Sequence, residues 1–259
     1  MPATPSGLHW RLDDIRTPWA IGAPVLFHHG IGTDLGIWSD WLPILGPAHM
    51  LCRFDLRGFG ASSVPAGHRW SLDGLVDDYL SIADAAGLDR FHAVGESIGG
   101  TVALAAALRA PARFLSITVS NGAHKGVGLG RVPGWRAAMR EHGLGPWADD
   151  MLQRRFAPGA VAPEVRAWFD RTQRRGGTEA IVELGELLLG VDLSPALPGL
   201  KLPLLILAPQ QSPFIAPEVF EAMARLVPGA RIHRFQARHG LPLSHARICA
   251  TLVRDFIAA

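Results

Sequence analysis

The chain has 259 residues, 48% of them hydrophobic and 19% charged, with a formal net charge of +2 at pH 7. That length and apolar content suit one large globular unit with a sizeable core and exclude a disordered chain. The near balance of charge, with no Lys/Arg tract interleaved with aromatics, excludes an electrostatic footprint for nucleic acid.

The N-terminal stretch "MPATPSGLHWRLDD" has neither a basic n-region nor an apolar h-region, so no signal peptide is expected and a cytoplasmic location is the default. No apolar run approaches the ~18 residues that cross a bilayer, so no membrane partner is expected. "PVLFHHG" (24–30) and "HMLCRFD" (49–55) read as buried strands ending at polar or glycine-rich turns. A helix follows over 71–88, with Ser71 as its N-cap. "RFHAVGES" (90–97) is another strand, and the Ala- and Leu-rich run 98–110 is a helix stopped before Pro111. "FLSITVSNG" (114–122) is again a strand. Residues 124–192 contain no convincing strand and read as several short helices rich in Arg, Trp and Gly. The alternation resumes with a strand at 202–209, a helix at 217–227, a strand at 230–236 and a helix at 241–257.

Strand and helix alternating in this way define an α/β class with a mostly parallel central sheet and helices on both faces. The expected organisation is a core from 1–123 and 193–259, with 124–192 inserted as a helical cap over the C-terminal edge of the sheet. Cys52 and Cys249 both sit in apolar runs and read as reduced core thiols.

"VGESIGG" (94–100) lies between a predicted strand and a predicted helix and contains a G-x-S-x-G match. In such a turn small residues let the backbones pass closely, and the serine hydroxyl projects at a helix N-terminus. Ser97 is therefore the candidate nucleophile. The glycine-rich turn in "FHHGIGTDLGIW" (27–38) can aim the Ile31 N–H at the same point as the Ile98 N–H, forming an oxyanion hole. His28 and His29 are adjacent in a strand and point to opposite faces, which disfavours a shared metal. His239, in the loop after the last strand, is the candidate base, ahead of His233 and His245. No cluster has metal-ligand spacing and no dinucleotide fingerprint is present, so no cofactor is expected.

The markers "HHGIG", "FDLRGFGAS" (54–62), "GESIGG" and "RHGLP", in this order, resemble the α/β-hydrolase superfamily over nearly the whole chain. Within it, "GTDLGIW" (32–38), "SNGAHKGVG" (120–128) and "GPWADDMLQRRFAPG" (145–159) resemble 3-oxoadipate enol-lactonases. The resemblance implies a small-molecule ester or lactone substrate and a hydrolytic role for Ser97, His239 and the two amides. It also implies an Asp after the seventh core strand, in a pattern like G-x-x-D-x-x-x-P. Here "APQQSPFIAP" sets Ser212 at that position and Pro209 in place of the glycine.

A serine can orient the imidazole but cannot supply the charge that stabilises an imidazolium. Three readings stay open. Glu96 or Asp34 substitutes for the acid; Ser97 and His239 work as a pair assisted by Ser212 on activated substrates; or the scaffold performs non-hydrolytic chemistry (lyase, decarboxylase, isomerase, cyclase) or binds a ligand. The inserted segment carries Arg131, Arg136, Arg154, Arg155, Arg174 and Arg175, and at least one is expected to face the pocket and meet a carboxylate. Glu96, Trp135 and Arg154 are the candidate substrate contacts. The sequence allows self-association into a homo-oligomer and does not require it.

Overall fold

The computed structural model describes residues 3–258. Its strands are β1 (Trp10–Asp13), β2 (Gly22–His28), β3 (His49–Phe54), β4 (Phe91–Glu96), β5 (Phe114–Ser120), β6 (Leu204–Pro209) and β7 (Arg231–Phe235). They form one sheet in the order β1-β3-β2-β4-β5-β6-β7. The pairings from β3 through β7 are parallel, and β1 runs antiparallel on the edge. Every residue of β4 and β6 is buried, as expected of parallel strands covered on both faces.

The helices are α1 (Leu42–Leu45), α2 (Leu72–Ala85), α3 (Ile98–Arg109), α4 (Trp135–His142), α5 (Leu144–Arg155), α6 (Pro163–Gln173), α7 (Thr178–Leu189), α8 (Pro217–Leu226), α9 (Leu241–Ser244) and α10 (Ala246–Ile257). The period-2 alternation of β2 divides the core. Leu26 packs with the apolar face of α2 and with α3, whereas Val25 and Phe27 pack with Trp38, Trp41 and the Cys249/Val253 face of α10. Both cysteines are free and fully buried. Ser71 caps α2 by accepting a hydrogen bond from the Gly74 N–H at 3.0 Å.

Two elements differ from the sequence reading. The edge strand β1, "WRLD", has no alternating apolar signal, because its exposed edge makes no such demand; it is held instead by pairing with β3 and by Arg53, whose Nε donates to Asp13 at 2.8 Å. The expected helix over 241–257 is two pieces, broken at His245 (φ −132°, ψ 30°). Helices α4–α7 lie between β5 and β6 in the chain and roof one end of the sheet. Two contacts tie α5 to the loops below it. The Gly240 N–H donates to the Arg155 carbonyl at 3.0 Å, and Arg238 Nη1 donates to the Gln153 carbonyl at 2.6 Å.

Candidate active site

Ser97 follows the last residue of β4 and immediately precedes α3, with φ 55° and ψ −123°. A non-glycine residue in that region is strained, and here the surroundings hold it there. Its own N–H donates to the Ser120 carbonyl at 2.9 Å. A Cβ on Gly95 would lie 2.3 Å from the Gly99 carbonyl oxygen, and one on Gly99 would lie 2.2 Å from the His28 carbonyl oxygen. Both obstacles are backbone and cannot swing aside, so the glycines of G-x-S-x-G are a steric requirement of this turn. As the first residue of α3, Ile98 has an N–H with no intrahelical acceptor.

A cavity opens above the serine. Ser97, His239, Ile31 and Ile98 all line it, together with Trp135, Arg155 and Phe214. The chain thus brings the candidate nucleophile, base and oxyanion residues to one place. Trp135 is also in this wall, packed edge-on against Trp147 at 5.4 Å between ring centroids.

Arg154 does not reach the cavity. It points outward, its Nε 2.6 Å from Asp150, and borders a separate surface depression with Arg238 and Gln211. On a helix, neighbouring residues differ by about 100° in direction, and it is Arg155 that turns inward. Arg155 is 4% exposed; its Nη2 donates to the Ile31 carbonyl at 2.7 Å, and its Nε has no partner among the described residues. Arg136 and Arg174 are engaged by surface carboxylates instead.

Glu96 lies beneath the cavity, 1% exposed. Asn121 Nδ2 donates to its Oε1 at 3.4 Å and also to the His239 carbonyl. Burial raises the Glu96 pKa, opposed by the Arg155 charge, Asn121 and the Gly30 N–H. Its Oε1 is 3.8 Å from His239 Nε2, too long for a hydrogen bond. Burial, reinforced by the Arg155 charge, holds the His239 pKa well below its ordinary value, so this histidine is neutral and the contact is not an ion pair.

On the other side of the ring, His239 Nδ1 is 3.0 Å from Ser212 Oγ. Asp34 is committed elsewhere, accepting the Gly36 N–H at 2.8 Å at the start of a short helical turn. His28 and His29 are also engaged. His28 stacks on Tyr79 and bonds the His29 carbonyl; His29 Nε2 accepts the Leu56 N–H at 2.8 Å while its Nδ1 bonds the Gly30 carbonyl. Among the described residues, no group of three or more His, Cys, Asp or Glu side chains is arranged to hold a metal ion.

Sequence reasoning passed over Asn121. Its φ of 54° just past β5 marks the turn that aims its amide at both Glu96 and the His239 loop. An Asn directly after a buried strand is the signal that could have pointed to it.

The sheet, the strained serine turn and the roofing helices are those of an α/β hydrolase. The chain matches the α/β hydrolase fold family over residues 23–246 and belongs to it. It is 29% identical over 194 residues to 3-oxoadipate enol-lactonase 2 of Acinetobacter baylyi, covering 73% of this chain and 71% of that one. It is 30% identical over 262 residues to the pimeloyl-[acyl-carrier protein] methyl ester esterase of Methylococcus capsulatus, covering 92% and 96%. The crystal structure of an enol-lactonase from Burkholderia xenovorans superposes with a TM-score of 0.89 at 25% identity, covering 97% and 96%.

Proposed function

We propose that the protein hydrolyses a small ester or lactone by acyl transfer to Ser97. The observation that carries this reading is the strained Ser97 at the N-terminus of α3, sharing one cavity with His239. In this mechanism Ser97 Oγ attacks the carbonyl carbon and His239 Nε2 takes its proton. The oxyanion then accepts hydrogen bonds from the Ile31 and Ile98 N–H groups. Collapse breaks the bond to the leaving oxygen, which receives the proton from His239, and water then releases the acyl group from Ser97. Ser212 takes the place of the acid at His239 Nδ1. Lacking its charge, the site favours substrates with good leaving groups, such as enol-lactones, since loss of a triad acid costs about 10⁴ in kcat, or roughly 5 kcal/mol. Arg155, with a free Nε in the cavity wall, suits a carboxylate on the substrate. The named activities of the enol-lactonase and esterase relatives support this class.

The test is fluorophosphonate labelling and p-nitrophenyl acetate turnover in wild type and Ser97→Ala. Labelling and turnover that both vanish in Ser97→Ala are expected. A second reading, acid–base chemistry without an acyl-enzyme, is favoured by the missing acid and the neutral His239. It predicts turnover of an enolisable substrate that survives Ser97→Ala and fails in His239→Ala.

A further inference from the structure

The hydroxyl of Ser212 has more neighbours than its position opposite His239 requires. It accepts the Phe214 N–H at 3.3 Å and the Ile215 N–H at 3.2 Å, while His239 Nδ1 lies 3.0 Å away. A serine oxygen offers two lone pairs and one proton. Backbone amides can only donate, so these two contacts occupy both lone pairs. What is left for His239 is the proton. We infer that Ser212 donates to His239 Nδ1 and so fixes the resting imidazole with its own proton on Nε2, facing the cavity.

This is the reverse of the arrangement an Asp imposes. A carboxylate accepts from Nδ1–H and leaves Nε2 bare, ready to take a proton from the nucleophile. Here Nδ1 is the acceptor and Nε2–H is a donor, aimed to the side where the Glu96 carboxylate lies and where Ser97 lines the cavity. The groups around the ring agree. Burial and then the Arg155 charge oppose an imidazolium, and Phe214 meets the ring edge-on at 4.9 Å, offering no acceptor for Nδ1–H. Ser212 is thus a positioning residue that holds His239 in the tautomer unsuited to general-base catalysis. For His239 to accept the Ser97 proton, its own proton must first move to Nδ1. The Ser212 hydroxyl must then rotate and give up one of its amide contacts. In the resting state four donors can meet a ligand oxyanion in the pocket: the Ile31 and Ile98 amides, His239 Nε2–H and Arg155. The tautomer itself does not depend on the hydrolase reading; only its effect on rate rests on that reading.

The experiment is ¹⁵N NMR of the histidine ring nitrogens in the full chain. His239 is assigned by difference against both His239→Gln and His239→Asn. A pyridine-like Nδ1 and a pyrrole-like Nε2 are expected at pH 7.5, and a pyrrole-like Nδ1 in wild type overturns the inference. Ser212→Asp is expected to exchange the two signatures, and exchange is the result a merely structural serine would not produce. In the same variant p-nitrophenyl acetate turnover should rise by about 10²-fold or more, toward the ~10⁴ that separates the two tautomers in a serine protease. Exchanged signatures with no gain in rate would leave the tautomer standing and count against acyl transfer to Ser97. Unchanged signatures in a folded Ser212→Asp would overturn the role of Ser212.

Discussion

Arg155→Met is the substitution with the most to reveal. The guanidinium is buried, lies close enough to the buried Glu96 for their charges to interact, and holds the Ile31 carbonyl at 2.7 Å. Methionine keeps most of the volume and removes the charge. The lost charge-assisted hydrogen bond contributes about 1.5–3 kcal/mol. Leaving a carboxylate buried without its opposing charge costs about 3–5 kcal/mol when it must stay ionised. Glu96 can escape part of this by taking up a proton, because burial already raises its pKa. The two effects therefore overlap, and a loss of about 3 kcal/mol at pH 7.5 is expected.

The sign of the pH dependence follows. Removing Arg155 raises the folded pKa of Glu96 further above its unfolded value. Between those two values the folded state binds more protons, so the deficit relative to wild type grows as pH rises and shrinks toward pH 5. Adding Glu96→Gln should recover stability, with a coupling energy of at least about 1 kcal/mol in the double-mutant cycle. Activity should not return, because the loop carrying Ile31 is no longer held, and a small misplacement there costs about 10² in kcat. Urea unfolding at pH 5 and pH 7.5 gives the stabilities, and p-nitrophenyl acetate turnover gives the rate. A single variant within about 0.5 kcal/mol of wild type at pH 7.5, or no coupling in the cycle, would refute the reasoning.

Three further outcomes are expected. Gly99→Ala forces a methyl against the His28 carbonyl and should cost about 2 kcal/mol or more in urea unfolding, with loss of fluorophosphonate labelling; a stable, labelling variant would contradict the steric account of the elbow. Burial lowers the pKa of His28 to about 3 and of His92 to about 4, so each is neutral in the fold and protonated in the unfolded chain below its ordinary value near 6.5. The stability they contribute is complete above pH 6.5 and is lost as pH falls below it, by about 2–3 kcal/mol at pH 4.5 for the fully buried His28 and by less for His92, which solvent screens; a urea midpoint unchanged between pH 7.5 and 4.5 would argue against this. Burial pushes the Cys52 thiol up to about 12 and raises that of Cys249 as well, so a thiol reagent should titrate neither in the native protein and two per chain in denaturant.

At position 212 the structure sets a hydroxyl against His239 Nδ1. That contact makes Ser212→Asp informative in both directions, since it restores a charge into a space that two backbone amides already line.

Local sequence determined the parts whose physics is local. The βα alternation, the buried runs of β4 and β6, the Ser71 cap and the glycines around Ser97 follow from propensity, period and steric need within a few residues. Edge strand β1 escaped, because an exposed edge imposes no apolar period, and so did the break at His245. Near the site, sequence could nominate Ser97 and His239 but could not choose between Arg154 and Arg155, which differ only by helical phase against a neighbour far away in the chain. Nor could it show that Asn121 bridges Glu96 to the His239 loop, or that two amides saturate the Ser212 oxygen. Those facts depend on the distance and direction between groups up to 124 residues apart, which only the packing of the sheet and its roof decides.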